Sequence, residues 1–296
     1  MTTLNDMVDE VLINLEGFSL RQDRTTYLTS ALTSSDNHID LASGDNIGKG
    51  VIEIEEELVH LDSVDRTDRS ATISPFGRGY RGTTATNHDI NSRVTFAPSF
   101  PRFMVKKAIN DTIGAVYPHL YSVGTTTFTY NPIKTTYALP TDAEIVLAVS
   151  WSVIGPSGEW LPVRRWRQDP NANAGIYATS NSVSIYENIV PGRTVQVTYM
   201  KEPTTLSAGT DNFTTTGLNA SHRDVIVYGA AYRMISFVDP GRLNFSSPEA
   251  DTNDTTRQFG SGTSTAKYIL ALYQQRLNDE AEKLNRRYPV RVHYTI

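Results

Sequence analysis

Two stretches decide how this chain folds: Thr194-Val-Gln-Val-Thr-Tyr199, and Ser221-His-Arg-Asp-Val-Ile-Val-Tyr-Gly-Ala-Ala-Tyr-Arg-Met-Ile-Ser-Phe237. The first follows Pro191-Gly192-Arg193 and alternates Val195, Val197 and Tyr199 with polar residues, the period of a strand buried on one face. The second opens on Ser221-x-x-Asp224 and places Val225, Tyr228, Tyr232 and Ile235 at helical spacing. Asp239-Pro240-Gly241 is its expected stop, giving a helix over 221–237. Upstream, Leu139-Pro140-Thr141-Asp142 introduces an apolar run from Ile145 to Trp151, and a β domain is expected over 125–205. Downstream, a last helix is expected over 264–288, aligning Ile269, Tyr273, Leu277, Ala281, Leu284 and Tyr288 before Pro289. The tail 289–296 then alternates Val290, Val292, Tyr294 and Ile296 with polar residues, as an edge strand would. Between the two helices, residues 239–263 hold few apolar side chains, the composition of a functional or disordered loop.

The N-terminal third reads differently. A helix is expected within 1–18, with Leu4, Val8, Val11 and Leu15 on one face, Thr3-x-x-Asp6 at its start and Gly17 at its stop. Residues 19–99 contain short strand candidates around Ile39 and Leu41, Ile52 and Ile54, Leu58 to Val64, Ala71 to Ile73, and Val94 to Phe96. Their spacing suggests a small antiparallel barrel or sandwich. Pro98 to Pro101 marks a boundary, followed by a helix over 102–117 with Val105, Ile109, Ile113 and Val116 near one face. The expected fold is α+β: antiparallel β domains combined with long amphipathic helices in a bundle. Its parts are a helix at 1–18, a β module at 19–99 and a core at 100–296.

At 296 residues, 39% hydrophobic and 20% charged, the composition is that of a folded chain with more than one core. The net charge of −5 gives no overall basic field for gripping nucleic acid. The absence of cysteine excludes disulfides and thiolate metal sites. No run reaches 18 apolar residues and the N-terminus has no basic-then-apolar leader pattern, so no membrane span or signal peptide is expected.

Candidate chemistry is sparse. Gly77-Arg-Gly79-Tyr-Arg-Gly82 matches G-x-G-x-x-G, yet Thr83-Thr-Ala-Thr-Asn-His88 follows where a dinucleotide site needs a helix, and position 102 is arginine instead of an acid. A glycine-supported turn is the expected reading. Glu53, Glu55, Glu56 and Glu57, with His60 and Asp62 nearby, invite comparison with a glycosidase pair or a cation site. A run along one strand instead suggests a solvated face, or salt bridges to a neighbouring subunit. The six histidines (38, 60, 88, 119, 222 and 293) lack ligand spacing, so neither a metal nor a cofactor is expected. Trp160-Leu-Pro-Val-Arg164-Arg165-Trp166-Arg167 mixes basic and aromatic side chains. On an acidic chain, Trp160, Arg164, Arg165, Trp166 and Arg167 read better as a protein interface than as a nucleic-acid surface.

Four segments carry a resemblance: Tyr137-Ala-Leu-Pro-Thr-Asp-Ala-Glu-Ile-Val-Leu-Ala-Val-Ser-Trp151, Ile189-Val-Pro-Gly-Arg-Thr-Val-Gln-Val-Thr-Tyr-Met-Lys-Glu-Pro203, Val227-Tyr-Gly-Ala-Ala-Tyr-Arg233 and Tyr273-Gln-Gln-Arg-Leu277. Together they resemble the head-to-tail adaptor (connector) proteins of tailed bacteriophages, over about residues 100–290. Gly79-Tyr-Arg-Gly-Thr-Thr-Ala-Thr-Asn-His88 resembles a turn in β modules of phage virion proteins, although Asn91-Ser92 stands where a glycine commonly follows. The resemblance implies an adaptor-like helical bundle with an added N-terminal β module. It further implies a virion protein without catalysis, assembled commonly as a ring of twelve copies between the portal protein and a tail or nozzle/stopper protein. DNA would pass through the lumen without specific binding. On this reading Tyr273, Leu277, Leu284, Tyr288, Val290, Val292, Tyr294 and Ile296 are candidate portal or subunit contacts. The alternatives are a baseplate or tail-hub component, and a glycan-binding or glycan-cleaving module using Glu53, Glu55, Glu57, Trp160 and Trp166.

Overall fold

The computed structural model describes residues 2–16, 23–45, 47–153, 158–243 and 261–289, with side chains left aside over 236–243 and 261–265. By contact the chain divides into two compact units. One is Asn5–Asn110 with Val227–Leu270, and the other is Met1–Leu4, Asp111–Ile226 and Ala271–Ile296.

The first unit is organised by six strands: β1 (Arg24–Tyr27), β2 (His38–Asp40), β3 (Gly50–Ile54), β4 (Glu57–Asp65), β5 (Ser70–Ile73) and β6 (Arg93–Phe96). They form one antiparallel sheet in the order β1-β6-β3-β4-β5-β2. The sheet curls until its outer strands meet. Leu28 bridges Leu41, Thr29 N–H donates to Asp40 O at 3.1 Å, and Ala42 N–H donates to Tyr27 O at 2.9 Å. That closure removes the unpaired edges, as barrels do. Alternate residues point inward, so Leu28, Ile39, Leu41, Ile52, Ile54, Val59, Leu61 and Val94 fill the interior. Strands β3 and β4 are joined by two residues only, with Glu55 at φ 56, the positive value that tight hairpins demand at this position.

The second unit holds β7 (Ser122–Thr129), β8 (Thr136–Ala138), β9 (Ile145–Ser152), β10 (Trp160–Pro162), β11 (Trp166–Asp169), β12 (Ser182–Ile185) and β13 (Thr194–Lys201). One antiparallel sheet runs β10-β9-β13-β7 and a second runs β11-β12-β8. Val146, Val149, Val195, Val197 and Tyr199 of the first face Tyr137, Leu139, Val183 and Ile185 of the second in one shared core, so this is a sandwich. Phe128 and Tyr137 stack at 4.0 Å between centroids on its flank.

Four helices occur among the described residues: α1 (Leu4–Glu16), α2 (Arg102–Ala115), α3 (Arg223–Leu243) and α4 (Ser261–Arg287). The chain is α+β in the broad sense, but the expected bundle of long amphipathic helices is not what it forms: three antiparallel sheets dominate. The reason lies in the helices themselves. On α3, Val225, Ile226, Val227, Ala230, Ala231, Met234 and Ile235 are all buried, so it is covered on most sides and has no single stripe to offer a bundle. Helices α1 and α2 are short, at 13 and 14 residues. α3 also continues through Pro240 to Leu243, where a stop at Asp239 was expected; the fixed φ of proline is helical, so the ring costs a hydrogen bond and crowds the preceding turn without forbidding the helix.

Gly124 of β7 lies opposite Tyr199 of β13, and a Cβ there would sit 2.5 Å from the tyrosine ring. The ring is held from its far end, where the Tyr199 hydroxyl donates to Asp142 Oδ1 at 3.3 Å. Gly124→Ala should therefore overpack the sandwich and lower stability by about 1–3 kcal/mol. Urea denaturation checks this, and an unchanged midpoint would show that the ring moves aside freely.

Candidate functional site

The acidic run does not form one continuous solvated face: Glu53 and Glu57 are buried, while Glu55 and Glu56 are exposed. Its four carboxylates part company at the β3–β4 hairpin, and each finds a partner within the first unit. Glu57 is buried, its side chain fully covered. Arg78 reaches it with two bonds, Nε to Oε1 at 2.8 Å and Nη2 to Oε2 at 2.9 Å, in the bidentate geometry that suits a guanidinium and a carboxylate. Gly79 N–H donates to Oε1 at 2.9 Å, Thr86 N–H donates to Oε2 at 3.0 Å, and the His88 ring bonds Oε2 at 2.9 Å. Burial alone would raise this carboxyl, but the bonds from His88, Arg78, Thr86 and Gly79 outweigh it and hold Glu57 far below its ordinary value.

The other members follow the same rule. Glu55 bonds the opposite nitrogen of His88 at 2.9 Å and accepts from Ser92 Oγ at 3.2 Å. Burial would depress the buried His88 ring, yet hydrogen bonds to Glu57 and Glu55 raise it above its usual value, which favours the imidazolium. Glu53 accepts the Arg102 N–H at the first turn of α2 at 2.5 Å, and burial pushes its carboxyl up to about 7. Glu56 pairs with Lys106 of α2. Arg102 in turn bonds Asp9 of α1 at 2.6 Å. A glycosidase pair needs carboxylates free to meet a sugar. Glu53 and Glu57 are buried, whereas Glu55 and Glu56 remain exposed while paired with His88 and Lys106.

The G-x-G-x-x-G segment belongs to the same cluster. It is a turn between β5 and β6, with Gly79 at φ 60 and Gly82 at φ 85, and its Arg78 also donates to Asp36 O at 3.3 Å and Thr86 O at 2.7 Å. Sequence reasoning kept the acidic run and this turn apart because 21 residues separate Glu57 from Arg78 and 31 separate it from His88. The one local signal was an arginine and a histidine bracketing a glycine- and threonine-rich stretch that could not be a helix.

In the second unit, Trp160 and the pair Trp166 and Arg167 fall on two strands of different sheets, and Arg164 and Arg165 lie on the segment that joins them. Trp160 opens the exposed strand β10 and Trp166 opens β11, half-buried against the sandwich core. Arg164, Arg165 and Arg167 are exposed, and among the described residues they make neither an ion pair nor a stacking contact with tryptophan. The strand registers bring more apolar side chains to this end of the sandwich. Trp160 pairs with Ser152, Tyr186 N–H donates to Arg165 O, and Gly192 N–H donates to Tyr130 O. Ile133, Tyr186, Val190 and Trp160 are each exposed near this end, with Tyr186 beside Arg165. Of these apolar residues only Trp160 was singled out from the sequence.

On α4, Leu284 is buried and so is not free to meet a portal, while Tyr273, Leu277 and Tyr288 are half-buried. Glu280 interrupts the expected apolar stripe. It is buried beside His222, accepts from Lys283 Nζ at 2.6 Å and lies 3.5 Å from Arg276, which also reaches Asp224 at 3.5 Å. Burial would raise Glu280, but bonds from Lys283 and Ser221 hold it below its ordinary value, whereas burial leaves His222 depressed. Val290, Val292, Tyr294 and Ile296, and most of the loop 239–263, lie outside the described residues. Among those described, no group of three metal-ligating side chains could hold an ion, and no helix is long and apolar enough to cross a membrane.

One further exposed residue escaped sequence reasoning. Phe76 is fully exposed, at φ 60, in the turn Ser74-Pro75-Phe76-Gly77 closed by Gly77 N–H to Ser74 O at 2.8 Å. This is the turn position that usually holds glycine or asparagine, so a phenylalanine here is strained and its ring gains nothing from burial.

This is an α+β protein whose acidic run is engaged within its own first unit and whose exposed apolar side chains stand on both β units, the character of a structural or interaction protein. Its class agrees with a comparison: a family model described as SU10 adaptor protein matches residues 83–293, well over half of the chain. The chain belongs to the SU10 adaptor protein family and is thus a phage adaptor-type structural protein and a virion component that meets other head or tail proteins. No curated protein matches it.

Replacing Phe76 with asparagine, which tolerates the left-handed conformation, should raise the stability of the isolated chain by up to about 1 kcal/mol. Thermal unfolding of Phe76→Asn checks this; a loss of stability would mean that the ring makes a contact within its own chain.

Proposed function

We propose that this adaptor forms a ring of about twelve copies joining the portal protein to a tail or nozzle/stopper protein, with DNA passing through its lumen. The family match over residues 83–293 is the observation that carries the reading. The net charge of −5 is compatible with a channel that DNA traverses without sticking, since binding DNA takes clustered cations. The exposed end of the sandwich, with Ile133, Tyr186, Val190, Trp160, Arg164 and Arg165, supports a contact with a neighbouring protein, mixing aromatic, aliphatic and arginine side chains as interface centres do. The half-buried Tyr273, Leu277 and Tyr288 of α4 and the tail 289–296 are the portal-facing candidates. Leu284 belongs to the chain's own core.

The β module of residues 19–99 acts in this proposal as an added module. Strands β1 to β5 lie N-terminal to the matched region, which begins at residue 83. The proposed role involves no reaction, a reading supported by the engagement of Glu53, Glu55 and Glu57, the carboxylates that a glycan-cleaving alternative would use, with Arg102, His88 and Arg78.

Mass photometry and electron microscopy of the purified chain, alone and with its portal, test the proposal. Rings seated on the portal are expected, and a chain ending at Pro289 should bind the portal more weakly. A monomer that persists at high concentration with portal present would overturn the ring, and unchanged binding after truncation would remove the tail from the portal contact.

A further inference from the structure

Natural sheets rarely leave a long, flat edge strand unguarded, because its unpaired N–H and C=O groups recruit other strands. In the first unit the outer strands meet at Leu28 and Leu41. In the sandwich four edges remain among the described residues, and three are blunted. Strand β10 has three residues and ends on Pro162, β8 has three residues, and β11 has four with Arg167 and Asp169 among them. The fourth, β7, is of another kind. It spans eight residues, Ser-Val-Gly-Thr-Thr-Thr-Phe-Thr, without a charge or a proline. It pairs with β13 along its whole length and, among the described residues, with no strand on its other side. Thr125, Thr127 and Thr129 are exposed and Thr126 and Phe128 half-buried, so the edge reaches solvent along most of its course.

We infer that the edge of β7 is a strand-acceptor site, and that its occupant in the free chain is the chain's own segment Val290–Ile296. Three observations choose this occupant. The segment alternates Val290, Val292, Tyr294 and Ile296 with Arg291, His293 and Thr295, so one face suits the half-buried Phe128 side of β7 and the other its exposed threonine side. Its seven residues extend about 23 Å at about 3.3 Å per residue, against about 26 Å for the eight of β7. Its starting point is also right. Helix α4 closes with Tyr288 N–H on Leu284 O at 2.9 Å, and Tyr288 is near enough to Tyr121 to add to the upward shift that burial gives that hydroxyl. Tyr121 is the residue that leads into β7, so a chain leaving Pro289 starts near the head of the strand, and the inferred pairing is parallel. The added strand would seal the sandwich edge by backbone pairing, the mode by which extended peptides join open sheets. This concerns the free chain alone and does not rest on the portal reading; engagement of the tail elsewhere would vacate the same edge.

The absence of cysteine makes the test direct. Thr127→Cys is combined in turn with Val292→Cys, His293→Cys and Tyr294→Cys, and each full-length pair is oxidised at low concentration without portal. A disulfide within one chain, seen as a faster-migrating band on a non-reducing gel, is expected for at least one pair. Bridges only between chains, or none from any pair, overturn the assignment. Hydrogen exchange supplies an independent reading. In the full chain the outward amides of 123–129 should exchange at least about tenfold more slowly than in a chain ending at Pro289, with protection of β9 and β13 unchanged. Equal exchange over 123–129 in the two chains overturns it as well.

Discussion

A carboxylate taken fully out of water must be surrounded by donors, and Glu57 sets that demand for the whole first unit. It sits where β3 turns into β4, the point at which the sheet would otherwise present a charge to its own interior. Meeting it takes a guanidinium, an imidazole and two backbone N–H groups, all delivered by residues 78–88. This requirement explains the shape of that stretch. Gly77 must pass close to the β4 backbone, where a Cβ would meet His60 O at 2.5 Å, and Gly79 must adopt a positive φ to aim its N–H at the carboxylate. The glycines that mimic a nucleotide-binding motif are there to wrap a glutamate.

The cluster also shows how the chain uses charge. Glu53 and Glu56 tie the same hairpin to α2, and α2 is tied through Arg102 to Asp9 of α1. Glu280, Lys283, Arg276 and Asp224 join the second half of α4 to the first turn of α3. With these groups engaged internally, exposed apolar side chains stand out on the surface, namely Phe76 on a strained turn and Ile133, Trp160, Tyr186 and Val190 on the sandwich, together with the exposed Arg164, Arg165 and Arg167. That distribution suits a member of an adaptor family better than it suits a binding cleft. The family match begins at residue 83, within the very stretch that wraps Glu57, so Thr86 and His88 lie inside it while Glu57 and Arg78 lie outside.

Much of the local structure was legible because it rests on short-range periodicity. The alternation at 52–54, 71–73, 94–96 and 194–199 reads directly as β3, β5, β6 and β13, and the faces of α1 and α2 carry Leu4, Val8, Val11, Leu15, Val105, Ile109, Ile113 and Val116, all of them buried. What stayed hidden depends on distant partners. Strand β1, Arg-Thr-Thr-Tyr, has no apolar alternation and exists because β6 pairs with it. Strand β7 begins at Ser122, earlier than its sequence suggests, because β13 templates all eight residues. Helix α3 has near-uniform hydrophobicity, which periodicity cannot distinguish from a one-sided face, and the bundle expectation followed from that ambiguity. The acidic run looked like a surface because nothing within ten residues of Glu57 reveals the arginine and histidine that cover it.

The most direct measurement of this account is the titration of Glu57 itself, followed through its side-chain carboxyl carbon resonance in the intact chain. The expected result is a signal that stays that of a carboxylate, far below the ordinary midpoint of 4.5, until the unit unfolds in acid. A midpoint near 4.5 in the folded chain would contradict it, for the glutamate would then be open to water and the acidic run a surface after all.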